Sequence, residues 1–109
     1  MTKTMSQAPS MATFAKLVKS SFRLRLEPET SIEVELTEFK QMAATAGYEQ
    51  FSLVFQGPAD APMEQSIYEL EQEGTGSFEI FLVPVGVNEI GVIYEAAFVK
   101  RSEATAGGD

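Results

Sequence analysis

The alternation of apolar and polar positions divides the chain into one helical stripe followed by a series of short extended segments. The run at 77–86, Ser-Phe-Glu-Ile-Phe-Leu-Val-Pro-Val-Gly, is apolar on both alternate sets of side chains for most of its length. Successive side chains of a strand point to opposite faces, so Phe78, Ile80 and Leu82 share one face while Phe81 and Val83 share the other. Both faces want cover, which predicts a central strand. Upstream, Phe22, Leu24 and Leu26 alternate with Arg23, Arg25 and Glu27, the pattern of a half-buried strand. The Pro28-Glu29-Thr30-Ser31 turn then leads to Ile32, Val34 and Leu36 alternating with Glu33 and Glu35. A hairpin follows, with Arg23 and Arg25 expected to face Glu33 and Glu35 across it.

After Leu36 the apolar parity changes, because Phe39 is odd where Ile32, Val34 and Leu36 are even. A bulge at Thr37-Glu38 accounts for the change, since one extra residue turns the following side chains over. Met42, Ala43 and Ala44 run into a turn at 45–47, and a third strand covers 48–55, with Phe51, Leu53 and Phe55 on one face. The stretch 57–62 carries Pro58 and Pro62 and is a loop. A fourth strand at 66–71 reaches the central one through a hairpin at Glu73-Gly74-Thr75-Gly76. Pro84 lacks a ladder donor, so pairing on one side must stop or bulge there. After a loop at 86–91, the last strand, 92–100, sets Tyr94, Ala96 and Phe98 on one face and Ala97 and Val99 on the other.

Ahead of the strands, Met11, Phe14, Leu17, Val18 and Phe22 recur at helical spacing and predict a helix over 11–20, with Ser10 as N-cap and Lys19 near the negative end of its dipole. Residues 1–10 and 102–109 have neither bulk nor period and read as flexible tails around one domain at 11–101. The fold class is mainly β: about six antiparallel strands in a small barrel or two-layer sandwich, with a short N-terminal helix covering the second apolar set, Val54, Phe81 and Val83. Short connections favour a meander, with one longer crossing at 57–65.

Composition narrows the function more than it identifies it. Length, 109 residues, suits one domain, and 44% apolar against 22% charged residues is globular. Sixteen acidic and eight basic residues give a net charge of −8, which repels phosphate backbones and anionic headgroups, so nucleic acid is not an expected partner. No apolar run reaches the roughly 18 residues of a membrane span, and no signal-peptide core opens the chain; membrane insertion is not expected, and synthesis is expected to leave the protein in the cytoplasm. Without Cys or His, thiolate and imidazole metal sites and Ser-His or Cys-His nucleophiles are excluded.

Candidate chemistry is sparse. The word Ile-Tyr-Glu occurs at Ile67 and again at Ile93, placing Glu69 and Glu95 on outward strand positions, where solvated charge is the rule and paired acid–base chemistry is not. The acids form no calcium loop, and Gly74-Thr75-Gly76 is a turn, not a phosphate cradle. Tyr48, Tyr68 and Tyr94 are candidate stacking platforms for a sugar or apolar ligand at a barrel mouth. The last strand has no internal Pro or Gly and carries Glu95 as its charge before Lys100. Read as an edge, it would close a barrel against 22–27 or meet another chain, so Val92, Glu95, Ala97 and Val99 are the candidate partner surface.

Five words in order, Phe14-Ala-Lys-Leu-Val-Lys-Ser-Ser-Phe22, Phe51-Ser-Leu-Val-Phe-Gln-Gly-Pro58, Gln65-Ser-Ile-Tyr68, Phe81-Leu-Val-Pro-Val-Gly86 and Tyr94-Glu-Ala-Ala-Phe98, give the chain a further handle. Together they resemble a family of small uncharacterised bacterial β-domain proteins over about 12–101. Gly74-Thr75-Gly76-Ser77 stands where that family more often has Leu-Gly, a change confined to a turn. The resemblance implies a setting beside phage tail-collar-type fibre genes and supplies no activity or functional residue. The expectation is a non-enzymatic structural or interaction domain, joined to an extracellular or phage-like assembly through a protein partner or self-association. A small binding module using the tyrosines is the alternative. Neither reading needs a cofactor or metal, so EDTA is expected to leave the thermal midpoint unchanged; a midpoint lowered by chelator and restored by Ca²⁺ is the contrary result.

Overall fold

The segments become six strands among the described residues: β1 (Ser21–Glu27), β2 (Thr30–Gln41), β3 (Tyr48–Gln56), β4 (Ser66–Gln72), β5 (Gly76–Val87) and β6 (Val92–Arg101), preceded by helix α1 (Met11–Lys16). A computed structural model describes residues 9, 11–41 and 48–101. The expected Ser10 cap, the 42–47 approach and turn, and the tails at 1–8 and 102–109 lie outside them. The strands pair antiparallel in the order β1-β2-β3-β6-β5-β4, and β4 returns to β1, so the sheet is a closed barrel and not a sandwich. Two three-strand meanders are joined by the crossing at 57–65, which passes the barrel end from β3 to β4.

Side-chain parity and Pro84 place two of the three ladder irregularities among the described residues; the third, between Arg25 and Glu27 in the β1–β2 pair, is not among the sequence expectations. Leu36 pairs with Phe55 and Glu38 with Val54, leaving Thr37 as the extra residue and turning Phe39 towards the core. The β5–β6 ladder slips between Pro84 and Gly86. In the β4–β5 hairpin, Gly74 and Gly76 adopt φ of 89° and 100°, left-handed conformations that a side chain would strain.

The interior is filled by aromatic rings. Phe22, Phe51, Phe55, Phe78 and Tyr94 are fully buried together with Leu24, Val34, Leu36, Leu53, Leu70 and Leu82. Phe51 and Phe98, paired between β3 and β6, stack with centroids 4.8 Å apart. Phe14 of α1 enters this end of the barrel, its ring 6.0 Å from Phe51, 5.8 Å from Phe78 and 5.6 Å from Phe98. The helix is therefore a plug in the barrel mouth and not the expected cover over Val54, Phe81 and Val83; Phe81 is 50% exposed. A mouth ringed by Phe51, Phe78 and Phe98 offers a buried phenyl ring contacts on several sides, whereas an outer wall offers one.

The helix is also shorter than predicted. Lys19 has a positive φ of 79°, which a right-handed helix cannot contain, and its N–H donates to the Leu36 carbonyl while Leu36 N–H donates to Ser20. The chain is thereby delivered into β1 beside the β2 bulge.

Two further expectations are corrected. β6 is not an edge, because it lies between β3 and β5, and β1 closes the ring against β4. Arg23 and Arg25 also turn away from Glu33 and Glu35. Arg25 donates to Glu71 at 2.8 Å and lies 3.5 Å from Glu69, and Arg23 stands 3.5 Å from Glu71. These contacts run along the β1–β4 seam, where Arg23 pairs with Glu71 and Arg25 with Glu69 in register. Replacing Phe14 by Ala removes the plug and is expected to cost about 3–5 kcal/mol in urea unfolding, a large share of a small domain's stability. A change below about 1 kcal/mol would return the helix to a peripheral role.

Candidate functional site

The two ends of the barrel are closed differently. Opposite the α1 plug, the 57–65 crossing is held down by two tyrosines: Tyr94 donates its hydroxyl to the Pro62 carbonyl, and Tyr68 donates to the Glu64 carbonyl at 2.6 Å. Their rings meet edge-to-face at 6.3 Å, and Ala61 is buried beside them in the core. Burial pushes the Tyr94 hydroxyl up from 10.0 to about 12, with Tyr68 nearby adding to the effect. Tyr68 is raised in the same direction by burial and then by Glu64. Both are thus structural ties, and neither presents a ring face to a ligand. Tyr48, 45% exposed, stands at the start of β3 near the plugged end, away from the other two. The three tyrosines do not converge on a mouth.

The predicted partner residues divide by face. Val92 is buried in the core, and Glu95 is half-buried opposite Val54 and Val83. Ala97 is exposed and Val99 is 67% exposed on the outer wall. Sequence reasoning passed over their companions on that wall. Ile67 and Phe81 pair directly across β4 and β5, and are 63% and 50% exposed. Phe81 and Ala97 each lie two residues from the Val83–Glu95 pair, so the apolar positions extend from β4 across β5 to β6. For Phe81 the signal in the sequence is the second apolar set of the central strand, which the helix is expected to cover; Ile67 carries no such signal.

A second feature lies at the rim between β1, β2 and the β5–β6 turn. A groove of about 440 Å³ is lined there by Ile32, Glu33, Glu35, Gln56, Pro58 and Ile90, among others. Close backbone contact forms its floor: Gly57 N–H donates to the Val92 carbonyl at 2.8 Å, and a Cβ on Gly91 would stand 2.2 Å from the Pro58 carbonyl carbon. The Asn88 side chain accepts from the Ile90 and Gly91 N–H groups at 3.0 and 2.9 Å and donates to Gln56 at 2.8 Å. Among the described residues neither Glu33 nor Glu35 has a cation within ion-pair distance.

For catalysis the arrangement offers little. Glu69 and Glu95 lie on β4 and β6, separated by β5, and Glu69 is beside Arg25. Among the described residues no three acidic side chains gather as a metal site, and no helix is long and apolar enough to cross a membrane. No buried polar side-chain atom among them lacks a hydrogen-bond partner.

These features define a small closed β-barrel with a filled interior, tied at both ends, whose accessible apolar groups are on the outside. The chain belongs to the DUF6916 family, a domain of unknown function, whose family model matches residues 9–98. No curated protein and no solved structure matches it.

The tyrosine ties make alkaline stability a direct check. The folded state holds the Tyr94 proton more tightly than the unfolded chain does. This contribution is complete below pH about 10 and is lost as pH rises through about 12. Urea midpoints are expected to fall across that window, and Tyr94→Phe is expected to flatten the fall while costing about 1 kcal/mol at pH 7 for the lost hydrogen bond. An equally steep alkaline fall in the variant would dissociate Tyr94 from it.

Proposed function

We propose that the chain is a non-enzymatic protein-interaction domain acting through the outer wall of β4, β5 and β6, as an accessory of a phage-tail-like or fibrous assembly. The observation that carries the reading is the exposed Ile67–Phe81 pair. Two large apolar side chains facing each other across a rigid ladder and open to water form the centre of a contact surface, and Ala97 and Val99 extend it. The filled interior favours this reading over a small-molecule module, because the volume a ligand would take inside is occupied by Phe14, Phe22, Phe55, Phe78 and Tyr94. The fibrous setting draws on the neighbourhood that the sequence resemblance implies.

The test is sedimentation of the protein alone over a range of concentrations and mixed with a fibre-type protein of the kind the resemblance implies as a gene neighbour. Phe81→Lys and Ala97→Lys are expected to weaken the complex tenfold or more, by roughly the 2 kcal/mol of an interface hot spot, while leaving the unfolding midpoint nearly unchanged. A chain that stays monomeric at all concentrations and binds no such product would overturn the reading.

A further inference from the structure

We infer that the rim groove between β1, β2 and the 88–91 turn is a second docking site, built to take a partner-protein segment in which an arginine or lysine stands beside an apolar residue. The inference rests on the interaction-domain reading but on different residues. The β2 side of the groove lies opposite β5 in the closed ring, Ile90 belongs to the turn that follows β5, and the two sites share no residue.

Three observations converge on it. First, Ile90 is 65% exposed although its turn is tightly organised. The Asn88 side chain fixes the Ile90 and Gly91 N–H groups, Asn88 N–H donates to the Gly91 carbonyl, and Gly91 fits against Pro58 with no room for a side chain. The isoleucine is thus held outward by a turn whose backbone groups are satisfied, a preorganised apolar contact.

Second, the groove beside it is lined by Ile32 and Pro58 on one hand and by Glu33 and Glu35 on the other. Long basic side chains have this division in themselves, an apolar stem and a charged head.

Third, among the described residues the carboxylates are uncompensated, for an identifiable reason. Register places Arg23 directly opposite Glu33, yet Arg23 and Arg25 are engaged by Glu69 and Glu71 on the other side of β1. Charge complementarity with the described surface therefore favours a basic occupant. A second copy of the chain is a poor source, because each copy carries a net charge of −8 and the two repel.

The experiment is a backbone-amide NMR titration of the full chain with the capped peptide Leu-Arg-Leu-Arg-Leu and, as control, its Leu-Glu-Leu-Glu-Leu counterpart. Saturable shifts are expected at Ile32, Glu33, Glu35 and Ile90 with the arginine peptide and not with the glutamate one. The double variant Glu33→Gln, Glu35→Gln is expected to weaken binding about tenfold, as two exposed ion pairs would, with affinity falling as salt rises. Ile90→Ser is expected to weaken it by a similar factor. All three positions are at least partly exposed, and the rest of each variant's spectrum reports that it is folded.

Phe81→Lys should leave this titration unchanged, so loss of fibre association with the groove intact, or the reverse, separates the two sites. The inference is overturned by shifts confined to the Ile67–Phe81 wall or by equal binding of the glutamate peptide. It is equally overturned if argininamide or Ca²⁺ alone reproduces the shifts while Ile90→Ser has no effect, which would make the groove a site for small cations.

Discussion

Closure of the ring is the constraint on which the other features depend. A six-strand sheet left open has two edges, and pairing β1 with β4 removes both. That seam is short, running from Arg23–Glu71 through Leu24–Leu70 to Arg25–Glu69. Leu24 and Leu70 face inward and are fully buried, while the arginines and glutamates flanking them face outward and pair along the seam. Such ion pairs contribute little to stability individually. Their larger effect is on register: a slip of one residue would turn Leu24 outward and Arg23 or Arg25 into the aromatic core. The same alignment draws both arginines away from β2 and leaves Glu33 and Glu35 facing solvent.

A closed barrel still has two open ends, and each is sealed by a different device. At one, Phe14 sits among Phe51, Phe78 and Phe98, so the helix acts through one ring more than through its own length. Six residues cannot sustain a helix alone, and α1 depends on the barrel as the barrel mouth depends on it. At the other, Tyr68 and Tyr94 bury their rings and use their hydroxyls on the carbonyls of a proline-containing crossing that forms no strand of its own. With both ends tied and the interior packed, the large apolar side chains left accessible are on the outside of the wall.

Much of this was legible residue by residue where it depended on neighbours in sequence. Parity located the Thr37 bulge, Pro84 marked the β5 slip, and Gly74 with Gly76 marked the hairpin. The pairing of β1 with β4 was not legible, because alternation shows which side chains face inward without naming the strand alongside. For the same reason alternation points Arg23 and Arg25 at the hairpin partner, whereas the ion pairs form with a strand distant in sequence. The helical stripe likewise identified Phe14 as buried without saying by what. With α1 expected over Phe81 the outer wall does not read as exposed, and β6 is singled out on a separate ground, as the strand least protected at an edge. Ile90 was overlooked as one apolar residue in a loop; that its turn is rigid emerges from the Asn88 and Gly91 contacts, which no local pattern encodes.

Exposed apolar groups and charge act together on the outside of this barrel. Glu79 flanks Phe81 along β5, and Glu33 and Glu35 flank the Ile90 groove, so both apolar surfaces are bordered by carboxylates. Carboxylates around an apolar contact disfavour burial against a like-charged surface and favour a basic one, giving selection and faster encounter more than affinity. The same acidic border limits self-association of a chain that shows large apolar side chains to water. The two surfaces share no residue, and the β2 side of one lies opposite β5 of the other in the closed ring. Used as proposed, the two surfaces would set a closed barrel between two partners, and its ladder would fix the geometry in which they are held.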